Sequence, residues 1–291
     1  MKRKALLMAV MTTFLWSGSY ILNKFAFQDG IGPLTLSGLR YLIASLLLLG
    51  LGAGKKKKAN SRISLKLILL LGLLGYAVAQ GMQYVGQSFL TPTQSSLFLS
   101  AGNTMFVMLV DMAWLRENQT KHDLVKMLLL LAGIFMYYFP WGAGVLSVPG
   151  LLFMLLSSLG YALNLTINRR LLTAKQAAPG ALVAKPMFLG AVMLLIAAFL
   201  LEGIPVLTAR TLLILVYLSA VSGALGFYLW TRSQAFLTAF ESSSVNNLVL
   251  IEIALLDFIV FRRSFSALQV IAVLIVFGAV ILIQTKPKAR Q

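Results

Sequence analysis

Glu252 interrupts the apolar run from Leu248 to Leu256. An ionisable side chain at membrane depth costs roughly 2.5–3.5 kcal/mol on insertion scales, so one that persists is a functional candidate. Its carboxyl either faces a cavity and binds a proton or a solute amine, or is a structural group, protonated or arginine-paired. Arg40 lies about two helical turns beyond Pro33 and leaves the same choice between a solute contact and an inter-helix pair. Asp111 and Asp257 differ, because Arg116 and Arg262 follow them at a fixed spacing. That spacing carries a helix about 140° round, so each carboxylate is expected to pair with a neighbouring helix instead.

Uncharged groups form a second constellation. Trp16, Tyr20 and Asn23 share one helical face. Tyr76, Gln80, Gln83, Tyr84 and Gln87 recur at helical spacing, as do Tyr161, Asn164 and Asn168. Tyr228 and Asn246-Asn247 extend the set. Such stripes are unfavourable against lipid, so they point inward, to water or to a partner helix. The three glutamines read as a cavity wall. The single positions read equally as inter-helix hydrogen bonds. Aromatic rings among them suit an apolar or cationic solute.

Other chemistries lack their parts. The chain has no cysteine, and its lone histidine, His122, sits in the polar stretch Lys121-His122-Asp123, so neither a metal site nor a serine–histidine hydrolase is built. No phosphate-binding G-x-x-x-x-G-K-S/T loop occurs, and no cofactor is expected. The net charge of +17 points to nucleic acid only until its distribution is considered. The basic residues cluster in short segments between apolar runs, as in loops beside anionic lipid, so no nucleic-acid partner is expected.

The chain that must position these groups is 59% hydrophobic and 11% charged, against about 25% charged in soluble domains. This is an all-α integral membrane protein. A ruler of about 20 residues per span gives ten, at roughly 5–26, 33–54, 65–88, 93–115, 123–141, 148–169, 180–201, 210–231, 243–261 and 266–284. Lys55 to Lys58, Thr91-Pro92-Thr93, Ala178-Pro179-Gly180 and Gly203-Ile204-Pro205 are among the breaks. With the N-terminus inside, most lysines and arginines fall on the inner side, which puts both termini in the cytoplasm. The first span runs past Ser17-Gly18-Ser19 with no A-x-A site, so it is expected to stay uncleaved.

The two halves resemble each other. Gln87-Ser88-Phe89-Leu90-Thr91 returns as Gln234-Ala235-Phe236-Leu237-Thr238, Leu109-Val110-Asp111 as Leu255-Leu256-Asp257, and Asn23-Lys24 as Asn168-Arg169. The repeats are 1–145 and 146–291. Five spans is an odd number, so the second repeat must enter the membrane with opposite polarity. The expected architecture is two inverted five-helix repeats around a midplane site, which suits alternating access in a secondary transporter. The rival reading is a membrane-embedded enzyme or lipid-modifying protein, for which nucleophile and base pairs are missing. Spans 5 and 10 are almost wholly apolar and are expected to face lipid or a second copy in a homodimer.

Leu15-Trp16-Ser17-Gly18-Ser19 through Asn23-Lys24, Pro33-Leu34-Thr35-Leu36 through Arg40-Tyr41, Leu115-Arg116-Glu117, Gly133 and Gly278 resemble the ordered motifs of EamA-type transporters of the drug/metabolite transporter superfamily. The resemblance covers nearly the whole chain. The family's early proline in spans 4 and 9 is absent, with Thr104 and about Leu250 in its place, and Arg263 replaces the second repeat's glutamate. The resemblance implies transport, often export, of amino acids or related small organic solutes across the cytoplasmic membrane, with a proton as one candidate coupling ion.

Overall fold

Helix starts are written into the chain. Pro33 and Pro179 occupy first-turn positions, where no backbone N–H is needed. Ser64, Ser147 and Thr208 cap the following helices, their hydroxyls accepting from Leu67, Gly150 and Thr211 backbone N–H at 3.3, 3.3 and 3.1 Å. The computed structural model describes residues 2–52, 63–115, 121–137, 139, 147–205, 207–237, 242, 245–246, 248–262 and 264–284. Among them run ten principal helices: α1 (Lys2–Gln28), α2 (Pro33–Gly50), α3 (Leu65–Phe89), α4 (Pro92–Leu115), α5 (Lys121–Tyr137), α6 (Val148–Thr173), α7 (Pro179–Leu201), α8 (Ala209–Ser233), α9 (Leu248–Phe261) and α10 (Ala267–Gln284). Six of them, α1, α2, α3, α6, α7 and α8, are long and apolar enough to cross a membrane. The expected polar connection at Lys121-His122-Asp123 is instead the first turn of α5.

The outer surface is greasy: Phe199, Leu201 and Leu213 are 69%, 76% and 73% exposed. That suits contact with acyl chains and not with water. Inside, Ser19, Ser37 and Ser45 return their hydroxyls to carbonyls one turn back along their own helices. A small polar side chain is thereby satisfied without a partner helix.

α3 and α8 share an irregularity. Each consists of 8 α-helical residues, then 9 π-helical residues, then 8 more α-helical residues. The π segments are Leu73–Gly81 and Tyr217–Leu225. A π segment widens the helix, leaves carbonyls free and gathers at functional sites.

Packing between halves is reciprocal. α1 lies on α8 as α3 lies on α6; α1 meets α9 as α6 meets α4; α2 packs on α7, and α5 on α10. Glycines set the closest approaches. A Cβ on Gly72 would stand 2.8 Å from the Pro186 carbonyl, and one on Gly190 would stand 2.6 Å from the Gly72 carbonyl. Gly133 fits similarly against Val276 of α10, whereas Gly278 borders open space. α2 and α7 run antiparallel, since Glu202 meets Leu34 and Thr35 while Leu195 meets Gly38.

Three carboxylates join the halves, all at the end of the bundle that holds the α1–α2 turn. Glu202 caps α2, its oxygens accepting from Leu34 N–H at 2.7 Å, Thr35 N–H at 2.8 Å and the Thr35 hydroxyl at 2.6 Å. Asp257 on α9 caps α4, accepting from Thr93 N–H at 3.2 Å and the Thr93 hydroxyl at 2.5 Å. Asp29 pairs with Arg210 at 3.2 Å and accepts from the Thr211 hydroxyl at 3.4 Å. Carboxylates suit helix N-termini, where free N–H groups and the helix dipole favour negative charge. Asp257 thus engages a neighbouring helix, as its spacing from Arg262 predicts. The side chains of Asp111 and His122, together with Arg116, Asn247 and Arg263, lie outside the described residues.

Candidate functional site

The π segment of α3 carries Gly75, Tyr76, Ala79 and Gln80 to the wall of a central cavity. α1, α2 and α4 add Trp16, Arg40 and Asn103, and α6, α8 and α9 add Tyr161, Trp230 and Val249, so both halves enclose the space. Its empty volume is about 920 Å³, counting open solvent at its mouth. Asn168, Gln234 and Asn246 mark the end that points away from the three carboxylates. At the other end the floor is closed by Gln83 donating to the Tyr20 hydroxyl at 3.1 Å and Asn23 donating to Gln87 at 2.7 Å, and Lys24 donates to the Leu90 carbonyl at 3.3 Å.

The lining is cross-braced. The Trp16 indole donates to the Ser222 carbonyl at 3.1 Å, and that residue belongs to the π segment of α8. The Tyr41 hydroxyl donates to Gln80 at 2.6 Å. The Ser157 hydroxyl donates to the Ala79 carbonyl at 2.5 Å, Asn164 donates to the Leu71 carbonyl at 3.2 Å, and Asn168 donates to Asn164 at 2.8 Å. Trp16 packs against Phe227 and Trp230 with centroids 5.1 and 5.2 Å apart, and Tyr76 lies 5.6 Å from Phe227. The walls therefore alternate rigid rings with amides held by their neighbours, the make-up of a pre-formed small-molecule pocket.

Of the residues singled out in the sequence, Trp16, Tyr20, Arg40, Tyr76, Gln80, Gln83, Tyr161, Asn164, Asn168 and Asn246 line this cavity. Asn23 and Tyr84 are buried just beyond it, and Tyr228 packs with the core around Tyr41 and Ala224. Glu252 accepts from the Thr13 hydroxyl at 3.1 Å, between α9 and α1, beside the lining residues Val249 and Trp16. Ser96, Ser100, Asn103, Phe227, Trp230 and Thr231 line the cavity without having been singled out. The first three recur at helical spacing in α4 and were visible on that ground.

Residues 3–139 and 148–285 each match the EamA-like transporter family. The chain belongs to that family. The uncharacterized transporter YvbV of Bacillus subtilis (strain 168) is 25% identical over 295 residues, spanning 99% of this chain and 94% of that protein. A protein of Chlamydia muridarum (strain MoPn / Nigg) named an S-adenosylmethionine/S-adenosylhomocysteine transporter is 26% identical over 178 residues, or 57% of this chain and 55% of its own length. A crystal structure with a TM-score of 0.72 covers 96% of this chain and 95% of its own, at 17% identity, and so shares the fold. Family and helices together make this a multi-pass membrane protein of transporter type.

Proposed function

We propose that this EamA-family chain is a secondary transporter that exports small organic metabolites, such as amino acids or related solutes, from the cytoplasm by alternating access. The observation that carries the reading is the polar–aromatic cavity, walled by both halves, with the three carboxylate contacts that join the halves among the described residues gathered at one end. A cavity closed on one side is one of the two states that alternating access requires. Residues 1–145 and 146–291 are the moving units, related by inversion; the antiparallel α2 and α7 support that relation, since they are the second helices of the two halves. The lysine and arginine distribution supports cytoplasmic termini and a cytoplasmic-membrane location, so the carboxylate-tied end faces outward. The named transporter among the partial relatives supports an organic metabolite as cargo. Trp16, Tyr20, Tyr76, Gln80, Gln83, Tyr161, Asn164 and Asn246 contact the solute, with Asn23, Tyr84 and Tyr228 shaping the wall behind them. The apolar outer faces of α5 and α10 meet lipid or a second copy.

Purified protein in liposomes tests the reading: amino acids loaded on one side should move down an imposed gradient, and empty liposomes should not match that flux. Liposomes that move none of a broad set of organic solutes would favour the enzyme reading. Glu252 is the proposed proton carrier, placed beside the cavity between α1 and α9. A Glu252→Gln variant should retain exchange of solute for solute but lose acceleration by a proton gradient. Unaltered proton dependence in that variant would remove Glu252 from the coupling step.

A further inference from the structure

Arg40 is the single charged residue on the described cavity wall, and it is only 3% exposed. One terminal nitrogen of its guanidinium donates to the Tyr84 hydroxyl, and the other donates to the Ser222 hydroxyl at 2.7 Å. Its Nε has no partner. The group stands 5.0 Å from the Tyr41 ring centroid and 5.7 Å from that of Tyr84, which ease its burial through the ring faces. No carboxylate among the described residues pairs with it. Buried arginines ordinarily find one, because an uncompensated guanidinium at membrane depth is costly. Its second-half counterpart by helix register is Pro186, so the charge is not scaffolding common to both repeats.

The two hydroxyls hold the planar group still, and several N–H donors remain to be used. A fork of that shape matches a carboxylate in two parallel hydrogen bonds. We propose that Arg40 is the docking point for a carboxylate on the transported solute, and that the cavity selects organic acids and amino-acid zwitterions with an apolar body and rejects organic cations. The body lies against Trp16, Tyr76 and Phe227, on the same side of the cavity as the Ser222 brace. The solute then brings the counter-charge that the described protein does not supply, and this rests on the transport reading above.

Binding to the detergent-purified full chain, read as thermal shift and by titration, tests it with four solutes: phenylalanine, phenylacetate, phenylalaninamide and 2-phenylethylamine. The two carboxylates should bind about tenfold or more tighter than the amide and the amine. Arg40→Gln should bring that ratio close to one, and Arg40→Lys should fall between. Should Arg40→Gln fail to fold, Ser222→Ala keeps the charge but frees the fork, and should weaken carboxylate binding several-fold with the amine unchanged. Equal binding of all four solutes by the unaltered chain, binding of none, or a ratio untouched by these variants overturns the proposal. Tight, selective binding of the acids with no liposome flux would instead refute the transport reading and leave the Arg40 site standing.

Discussion

Gly190→Leu is expected to destabilise the protein by about 3 kcal/mol or more, and to lower its melting temperature in detergent more than any single change within the cavity. The reason is backbone against backbone. A Cβ at Gly190 meets the Gly72 carbonyl at 2.6 Å, and one at Gly72 meets the Pro186 carbonyl at 2.8 Å. Side chains turn away from an overfilled site at modest cost, but carbonyls fixed in helical hydrogen bonds do not. Relief requires α3 and α7 to separate, and the cavity wall at Tyr76 moves with α3. Gly278→Ala is the control, because nothing lies within 4 Å of the Cβ it would add. Equal melting temperatures for the two variants would refute the close-contact argument.

The second large effect concerns the carboxylates at the end of the bundle that holds the α1–α2 turn. Joint replacement Glu202→Gln and Asp257→Asn should shift the protein toward a state open at that end. Charge-assisted hydrogen bonds contribute about 1.5–3 kcal/mol each when shielded, and less at Glu202, which is partly exposed. Together the two changes amount to about tenfold or more in population. The chain has no cysteine, so one introduced reporter is unambiguous. Ser95→Cys is suitable: Ser95 is fully buried and borders the small cleft between Tyr20, Gln87 and Pro92. A membrane-impermeant maleimide should label it slowly in the intact background and about tenfold faster in the double variant. Unchanged labelling would mean that the carboxylates only stabilise helix ends.

The ten helices were legible because the bilayer's length scale is written in apolar runs, and because Pro33, Pro92 and Pro179 punctuate them. The glutamine stripe of α3 was legible for the same reason: a polar group among leucines has to face inward. The α8 face was not. Tyr228 was read as the inward residue, whereas Phe227, Trp230 and Thr231 line the cavity. The π segment Tyr217–Leu225 precedes them, and its wider turn shifts every later residue out of the 3.6-residue phase by which faces are counted. Glu202 drew no notice because its partners, Leu34 and Thr35, are distant in sequence and contribute mainly backbone N–H groups. Backbone donors leave no mark on side-chain patterns. Gln87 and Gln234 match as letters, yet one lies inside α3 and the other just beyond α8, so the matching strings occupy different places relative to the helix ends.

The π segments Leu73–Gly81 and Tyr217–Leu225 share one identical aligned residue, Leu74 with Leu218. Their register within the two helices is nonetheless the same. Each begins after eight α-helical residues and is followed by eight more, so both helices widen at the same turn. What the two halves share there is a backbone shape, hung with almost wholly different side chains, so that one widened turn serves two differently lined walls.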